Sequence, residues 1–248
     1  MNAWELPGGM GWGNVVLSLS DVVARYPGVL VHSNINDIER GVEFVGIQYV
    51  DTLDGFTKVN SQIYINPSYF QFIHSNIPRI IKPTDTMRDL IEKYRHLVDG
   101  VTCGIHIRRG AYQNDSKNMG CHGMDANGVP IPAYFASDSA LEKFKHIIDT
   151  TPGTLFLASD SREIKHMFKG LEKVKFLDTD AVLTYKCDTL KNYDVTPESR
   201  LNCYLEWFLL SMCPKLYITA GNSDLSGLST YGYAAGCYGQ CPIEFVFN

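Results

Sequence analysis

The second half of the chain alternates between short apolar runs and amphipathic stretches, and this alternation constrains the fold more than any other feature. Apolar runs of strand length are VTCGIHI, GTLFLAS, KVKFLD and KLYITA, at residues 101–107, 153–159, 173–178 and 215–220. Helical patterns lie between and after them, at residues 139–149, 161–171, 198–212 and 228–239. Strands that alternate with helices predict an α/β protein with a parallel sheet.

The first hundred residues carry fewer signals. Residues 9–25 predict a glycine-rich loop that runs into a helix, and residues 28–33 predict a short buried strand. Residues 84–98 predict an amphipathic helix that Thr84 or Asp85 can cap. Asp99 and Gly100 then break the pattern. We therefore expect two domains, formed by residues 1–98 and 99–248.

Composition excludes several classes of protein. Only 20 % of the residues are charged and the net charge is -5, whereas a protein that binds nucleic acid usually carries a basic surface. No apolar run approaches the ~20 residues of a membrane span, and no signal peptide is recognisable. The seven cysteines contain no CxxC pair, so we expect thiols in a reducing compartment rather than zinc ligands. The sequence predicts a soluble, cytoplasmic protein.

The segment CGIHIRRGAYQ (residues 103–113) places two arginines directly after a predicted strand. Ligands of parallel α/β sheets bind beyond the carboxyl ends of the strands, where Arg108 and Arg109 stand. Side chains alternate along an extended segment, so one arginine points into the crevice and the other braces the wall. A guanidinium stays charged and makes paired hydrogen bonds to phosphate, so this motif predicts a phosphate-bearing ligand.

Three other segments supply polar groups that suit the same ligand. The loop GGMGWGN (residues 8–14) precedes a predicted helix, whose N-terminal amides attract anions. FLASDS (156–161) and TAGNSDLSG (219–227) place hydroxyl, carboxylate and amide side chains at two further strand ends. We expect these loops and the arginine pair to converge on one edge of the sheet.

Taken together, these segments resemble a known family. HIRRGAY is similar to the HxRRGDY segment of the α1,2-, α1,6- and protein O-fucosyltransferase superfamily. GGMGWGN, the segment SYFQFIHSNIPRIIKP (68–83), FLASDS and the region from YLEWFLLSMC to NSDLSGLSTYG resemble other motifs of that superfamily. The motifs occur in the same order and with similar spacing across nearly the whole chain.

The resemblance implies an α/β architecture of the GT-B type, with two Rossmann-like domains and parallel sheets. Arg108 would bind the β-phosphate of a GDP-sugar and stabilise the leaving diphosphate, assisted by Arg109 and His106. Glu206 falls where the family often has a carboxylate that reads guanine. The remaining residues implied to bind substrate are Asp160 and Ser161 near the nucleoside, Ser223 and Ser226 near the phosphates, and Gly11 and Asn14 across the cleft.

The resemblance implies an inverting, metal-independent glycosyltransferase that uses GDP-fucose and a glycan hydroxyl, with no cofactor. No spacing selects a catalytic base among Asp115, Asp125 and Glu5. Two departures from the family pattern bear on this expectation. Ala111 replaces the aspartate of the α1,2-type motif, and SDLSGLS lacks the family's aromatic residues, which leaves the sugar unspecified.

Two other functions compete with this interpretation. FLDTD (176–180) contains an aspartate pair of the kind that holds a divalent ion in metal-dependent GT-A glycosyltransferases. A nucleotide- or glycan-binding module that kept the fold and lost activity would fit the substitution at Ala111. A His/Cys hydrolase is the weakest alternative, because no nucleophile signature surrounds a cysteine.

Overall fold

The computed structural model describes residues 2–5, 12–13, 16–17, 30–32, 41–44, 48–49, 57–58, 81–109, 136–179, 197–221 and 228–248. Its main feature is a five-stranded sheet, formed by Cys103–Ile107 (β7), Leu155–Ser159 (β8), Val174–Phe176 (β9), Leu216–Gly221 (β10) and Ile243–Phe247 (β11). The strand order is β11-β10-β7-β8-β9, and every neighbouring pair is parallel. The predicted α/β class is confirmed.

Five helices accompany this sheet in the described part of the chain. They span Asp85–Tyr94 (α1), Asp138–Thr150 (α2), Arg162–Phe168 (α3), Pro197–Ser211 (α4) and Thr230–Gly239 (α5). Hydroxyl side chains cap the first three: Thr84 accepts a hydrogen bond from Met87, Ser137 from Ala140, and Ser161 from Ile164. The helix predicted at 84–98 ends at Tyr94, and a 3₁₀ turn continues to Leu97.

Successive strand residues point to opposite faces of the sheet, and helices cover both faces, so side chains on both sides are buried. From β7, Cys103, Ile105 and Ile107 join a core with α2 and α3, where Phe144 and Ile164 lie. The opposite core holds Ile218 of β10 with residues of α1, α4 and α5. Gly104 is required there, since a Cβ atom would lie 2.7–2.9 Å from Leu216, Cys213 and Leu210.

The N-terminal part contains a parallel four-stranded sheet in the order β4-β2-β1-β5 and an antiparallel pair β3-β6. Its strands are Asn2–Glu5 (β1), Leu30–His32 (β2), Val42–Phe44 (β3), Gln48–Tyr49 (β4), Thr57–Lys58 (β5) and Ile81–Pro83 (β6). Of these, only β2 corresponds to a strand predicted from the sequence. Of the helix predicted within residues 9–25, residues 12–13 and 16–17 are described, and they are helical.

These early residues contact the second half of the chain. The ring of Trp12 lies 4.7 Å from that of Tyr204 and 5.6 Å from that of Trp207, between ring centres. Helix α1, which precedes the predicted domain boundary at Asp99, also packs against α4. The division at Asp99 stays a prediction.

Two further expectations concern the cysteines and the membrane. Among the described cysteines, Cys103, Cys203, Cys213, Cys237 and Cys241 are all buried and none forms a disulfide. Across the described ranges, every helix is too short or too polar to cross a bilayer.

Candidate active site at the carboxyl edge of the parallel sheet

Arg108 follows the central strand, and its backbone is fixed on both sides. Its amide donates to the Thr219 hydroxyl of β10 at 3.0 Å, and its carbonyl accepts from the Ala136 amide at 2.7 Å. Neither bond uses the side chain, which is half-buried at the carboxyl edge. The fold therefore sets the position of this residue independently of its guanidinium group.

Arg109 has the bracing position expected of the second arginine. Its side chain is buried, with one nitrogen donating to the Ala136 carbonyl at 3.0 Å and another paired with the Asp138 carboxylate. Its amide donates to Asp160 at 2.8 Å. Arg109 thus ties the end of β7 to the start of α2 and to the end of β8.

His106 lies beneath the arginines and is 3 % exposed. Its Nδ1 atom is 3.2 Å from the Ser229 hydroxyl, and its ring centre is 4.9 Å from that of Tyr231. Burial, and secondarily the charge of Arg108, lower the pKa of His106 to about 3. The imidazole is therefore neutral at physiological pH and packs within the protein.

The end of β8 is organised by two serines and an aspartate. Ser159 donates to the Ile107 carbonyl at 2.6 Å and accepts from the Ser161 amide at 3.2 Å. The Ser161 hydroxyl caps α3, accepting from Ile164 at 3.4 Å. Asp160 remains partly exposed between them and accepts from Arg109. Of these three side chains, that of Asp160 is the least buried.

Glu206 is 2 % exposed and forms an ion pair with Lys165, at 2.6 Å between oxygen and nitrogen. Lys165 also donates to the Leu177 carbonyl at 3.1 Å and, over 3.5 Å, to that of Thr179. Burial raises the pKa of Glu206 to about 7, against the opposing effect of Lys165. The carboxylate predicted to bind guanine is thus paired with a lysine that also donates hydrogen bonds to carbonyls of the segment after β9.

The structure brings together six of the residues predicted from the sequence at the ends of β7 and β8 and on α4: His106, Arg108, Arg109, Asp160, Ser161 and Glu206. Gly11, Asn14, Ser223 and Ser226 lie outside the described residues, as do the base candidates Asp115 and Asp125 and the position Ala111. The side chain of Glu5, the third base candidate, is not described either.

Several residues that organise this edge were not predicted, namely Thr219, Ser229, Tyr231, Asp138 and Lys165. One of them had a recognisable signal. Lys165 stands three residues before Phe168 on the buried stripe of α3, where a charged residue needs a partner. The others are ordinary strand, cap or helix residues in the sequence, and only the fold places them beside the arginines.

The aspartate pair of the rival interpretation is only half described. Asp178 lies in a surface ion pair with Lys169 at 3.0 Å, and Asp180 lies outside the described residues. Within the described ranges, histidine, cysteine and carboxylate side chains form no cluster that could hold a metal ion.

No protein-family model and no curated protein matches this sequence. Solved structures do. A NodZ alpha-1,6-fucosyltransferase co-crystallised with GDP matches with a TM-score of 0.52 and 14 % identity, over 94 % of this chain and 91 % of that one. The same enzyme soaked with GDP-fucose matches with a TM-score of 0.50 and 14 % identity, over 96 % and 92 %.

The selenomethionine form of fucosyltransferase NodZ from Bradyrhizobium also matches, with a TM-score of 0.50 and 14 % identity, over 94 % and 91 % of the two chains. At this level of identity the likeness concerns the fold. It extends over nearly the full length of both chains, so the N-terminal strands and the five-stranded sheet belong to one shared architecture. The GT-B type of fold expected from the sequence is therefore confirmed, and this chain is folded like the fucosyltransferase NodZ.

Proposed function

We propose that this protein is an inverting glycosyltransferase that transfers a deoxyhexose, L-fucose from GDP-fucose first, to a hydroxyl group of a glycan. The observation that carries the proposal is the position of Arg108. It stands at the carboxyl end of the central strand, between β8 and β10, on a backbone held from both sides. Two of the matching NodZ structures were obtained with GDP-fucose and with GDP, which makes GDP-fucose the first donor to test.

In the proposed reaction, the bond between the anomeric carbon and the β-phosphate oxygen breaks, and its electron pair leaves with GDP. A hydroxyl oxygen of the glycan forms the new bond from the opposite face and gives its proton to a base or to water. The transition state carries positive charge on the sugar and negative charge on the diphosphate. Arg108 would stabilise that diphosphate with two parallel N–H···O bonds, which strengthen as its charge develops.

The neighbours of Arg108 suit a supporting role. The charge of Arg109 is already matched by Asp138, so Arg109 would keep the strand end in place rather than neutralise the leaving group. A histidine with a pKa of about 3 accepts protons poorly at neutral pH, so His106 would not be the base that deprotonates the acceptor. We propose that His106 supports the backbone beneath Arg108 through Ser229 and Tyr231.

Substitution of Arg108 tests the proposal directly. Arg108→Ala should lower kcat by about 10²–10³-fold in a protein that still folds, because both backbone hydrogen bonds of residue 108 remain. Arg108→Lys should recover little, since an ammonium group lacks the planar fork. Arg95→Ala removes the same charge from an exposed site and should leave activity unchanged. Undiminished transfer by Arg108→Ala would refute the site.

The same test separates the two arginines. Arg109→Ala removes the side-chain bonds to Ala136 and Asp138, so it should lower the melting temperature as well as activity. The expected loss of kcat is smaller than for Arg108→Ala. Equal kinetic losses with equal stability would show that both guanidinium groups contact the donor.

The nucleotide is tested by thermal shift with GDP, UDP and dTDP, because a ligand that binds the native state raises the melting temperature. Reading of guanine by Glu206 stays a prediction, and it requires the base to reach a carboxylate that Lys165 already engages. If Glu206 reads guanine, Glu206→Gln should weaken GDP by about ten- to a hundredfold and leave UDP unchanged. Equal affinity of the wild type for GDP and UDP would exclude a guanine-specific site.

A further inference from the structure

Asn248 joins two segments that are far apart in the sequence, the start of α2 and the end of β10. Its side-chain oxygen accepts a hydrogen bond from the Ser137 amide at 2.9 Å. Its own amide donates to the carbonyl of Gly221 at 2.6 Å. Ser137 is the first residue before α2, and Gly221 is the last residue of β10. A single half-buried residue therefore connects the start of α2 with the end of β10.

The first connection leads to Arg108 in two steps. Ser137 follows Ala136, whose amide donates to the Arg108 carbonyl at 2.7 Å. The Ala136 carbonyl in turn accepts from the Arg109 side chain at 3.0 Å. Fixing the Ser137 amide thus limits how far residues 136–138 can move away from the arginine pair.

The second connection reaches Arg108 from the other side. Gly221 lies two residues after Thr219, whose hydroxyl accepts from the Arg108 amide at 3.0 Å. Gly221 has a φ of 64°, a conformation that favours glycine, and the register between β10 and β11 shifts between Thr219 and Gly221. The bond from Asn248 holds this irregular strand end at a fixed distance from residues 136–138.

We propose that Asn248 is a positioning residue for the donor diphosphate, which clamps together the two segments that flank Arg108, the start of α2 and the end of β10. This inference rests on the proposed function, because it assumes that Arg108 binds the diphosphate. Asn248 would act through the backbone of residues 136–138 and 219–221, and not by contact with the ligand. Its loss should widen the range of positions of Arg108, which weakens donor binding more than it weakens the fold.

A purely structural role makes a different prediction. If Asn248 only seals the end of β11, its substitution should lower the melting temperature and leave the KM for the donor unchanged. Lys143→Ala is the matched control, because Lys143 donates to the carbonyls of Phe247 and Asn248 from the exposed side without touching Ser137. It removes a link to the same segment and leaves the clamp in place.

The experiment measures GDP affinity, the KM and kcat for GDP-fucose, and amide hydrogen exchange in wild type, Asn248→Ala, Asn248→Asp and Lys143→Ala. Asn248→Ala keeps the backbone bond to Gly221 but removes the side-chain bond to Ser137, so it should weaken GDP and raise the donor KM by about three- to tenfold, with faster exchange at Ser137. Asn248→Asp keeps the acceptor oxygen and should restore slow exchange at Ser137. Lys143→Ala should match the wild type in donor KM.

Two results overturn the inference. One is an unchanged donor KM in Asn248→Ala when the wild type binds GDP. The other is unchanged exchange at residues 136–138 in Asn248→Ala, which can be measured without any ligand. A wild type that binds no nucleotide at all would instead refute the proposed function, and the exchange data would still decide whether Asn248 clamps the start of α2 to the end of β10.

Discussion

Replacing Lys165 with methionine should leave the Glu206 carboxylate buried without its cation. In the native protein the side chains of Lys165 and Glu206 are 6 % and 3 % exposed, and 2.6 Å separates their charged atoms. Methionine fills a similar volume but donates no hydrogen bonds. Breaking a buried ion pair by removing one partner costs about 3–5 kcal/mol when the remaining charge cannot relax.

The size of this loss should depend on pH, and the sign follows from the carboxyl group. Burial already raises the pKa of Glu206 to about 7, so the contribution of this carboxyl group to the unfolding free energy falls as pH rises from 4.5 to 7. Without Lys165 the pKa rises further, and the decline continues above pH 7. At pH 6 the variant carries a neutral acid and loses mainly the bonds to Leu177 and Thr179, about 1 kcal/mol each. At pH 9 we expect the full loss of about 3–5 kcal/mol in the free energy of unfolding.

Urea unfolding at pH 6 and pH 9 measures both values. Lys169→Met is the matched control on the same helix, because its ion pair with Asp178 is exposed and should contribute less than about 1 kcal/mol at either pH. The double variant Lys165→Met/Glu206→Leu should recover much of the loss, since it removes the stranded charge. A Lys165→Met loss that is equal at both pH values, or no larger than the control, would refute this account of the pair.

Three other expectations can be checked separately. The pKa of His106 falls to about 3 on folding, so its contribution to stability is complete above pH 6.5 and is lost as pH falls towards 3. Between pH 7 and 4.5, the unfolding free energy of His106→Gln, measured with urea, should fall by about 3 kcal/mol less than that of the wild type. Gly13→Ala should lower the unfolding free energy by at least about 2 kcal/mol, since its Cβ would lie 2.2–2.3 Å from backbone atoms of Thr230 and Tyr231, whereas Gly170→Ala meets nothing and should be neutral. Transfer should survive EDTA, and restoration of a chelated enzyme by manganese would favour the aspartate pair instead.

Most elements of the second half could be predicted because their patterns extend over five residues or more. Strands β7, β8 and β10 are apolar runs bounded by turn residues, and α2 has a clear apolar stripe. The N-terminal strands have two to four residues, too few for a period of two to stand out. Strand β11 was missed because IEFVF mixes a charge with apolar residues of both faces.

Some residues of the candidate site could be predicted from the sequence, and others are brought to it only by the fold. The arginine pair was recognisable because strand ends of parallel sheets bind ligands and because arginine suits phosphate. The partners that fix the pair were not, since Asp138, Asp160 and Thr219 lie between 29 and 111 residues away in the chain. Glu206 shows the limit most clearly. Its position matched a motif, but its burial against Lys165 depends on how α3 and α4 pack, which no local pattern encodes.

The strand order also determines when the site can form during synthesis. Strand β7 is the first of its sheet to be made, yet it lies in the centre, and its neighbour β10 follows more than a hundred residues later. Until residues 216–221 leave the ribosome, the backbone N–H and C=O groups on one edge of β7 are unpaired and can bond to other chains. Folding should therefore be slow and prone to aggregation at this stage, and nascent chains that stop before β10 should bind no nucleotide.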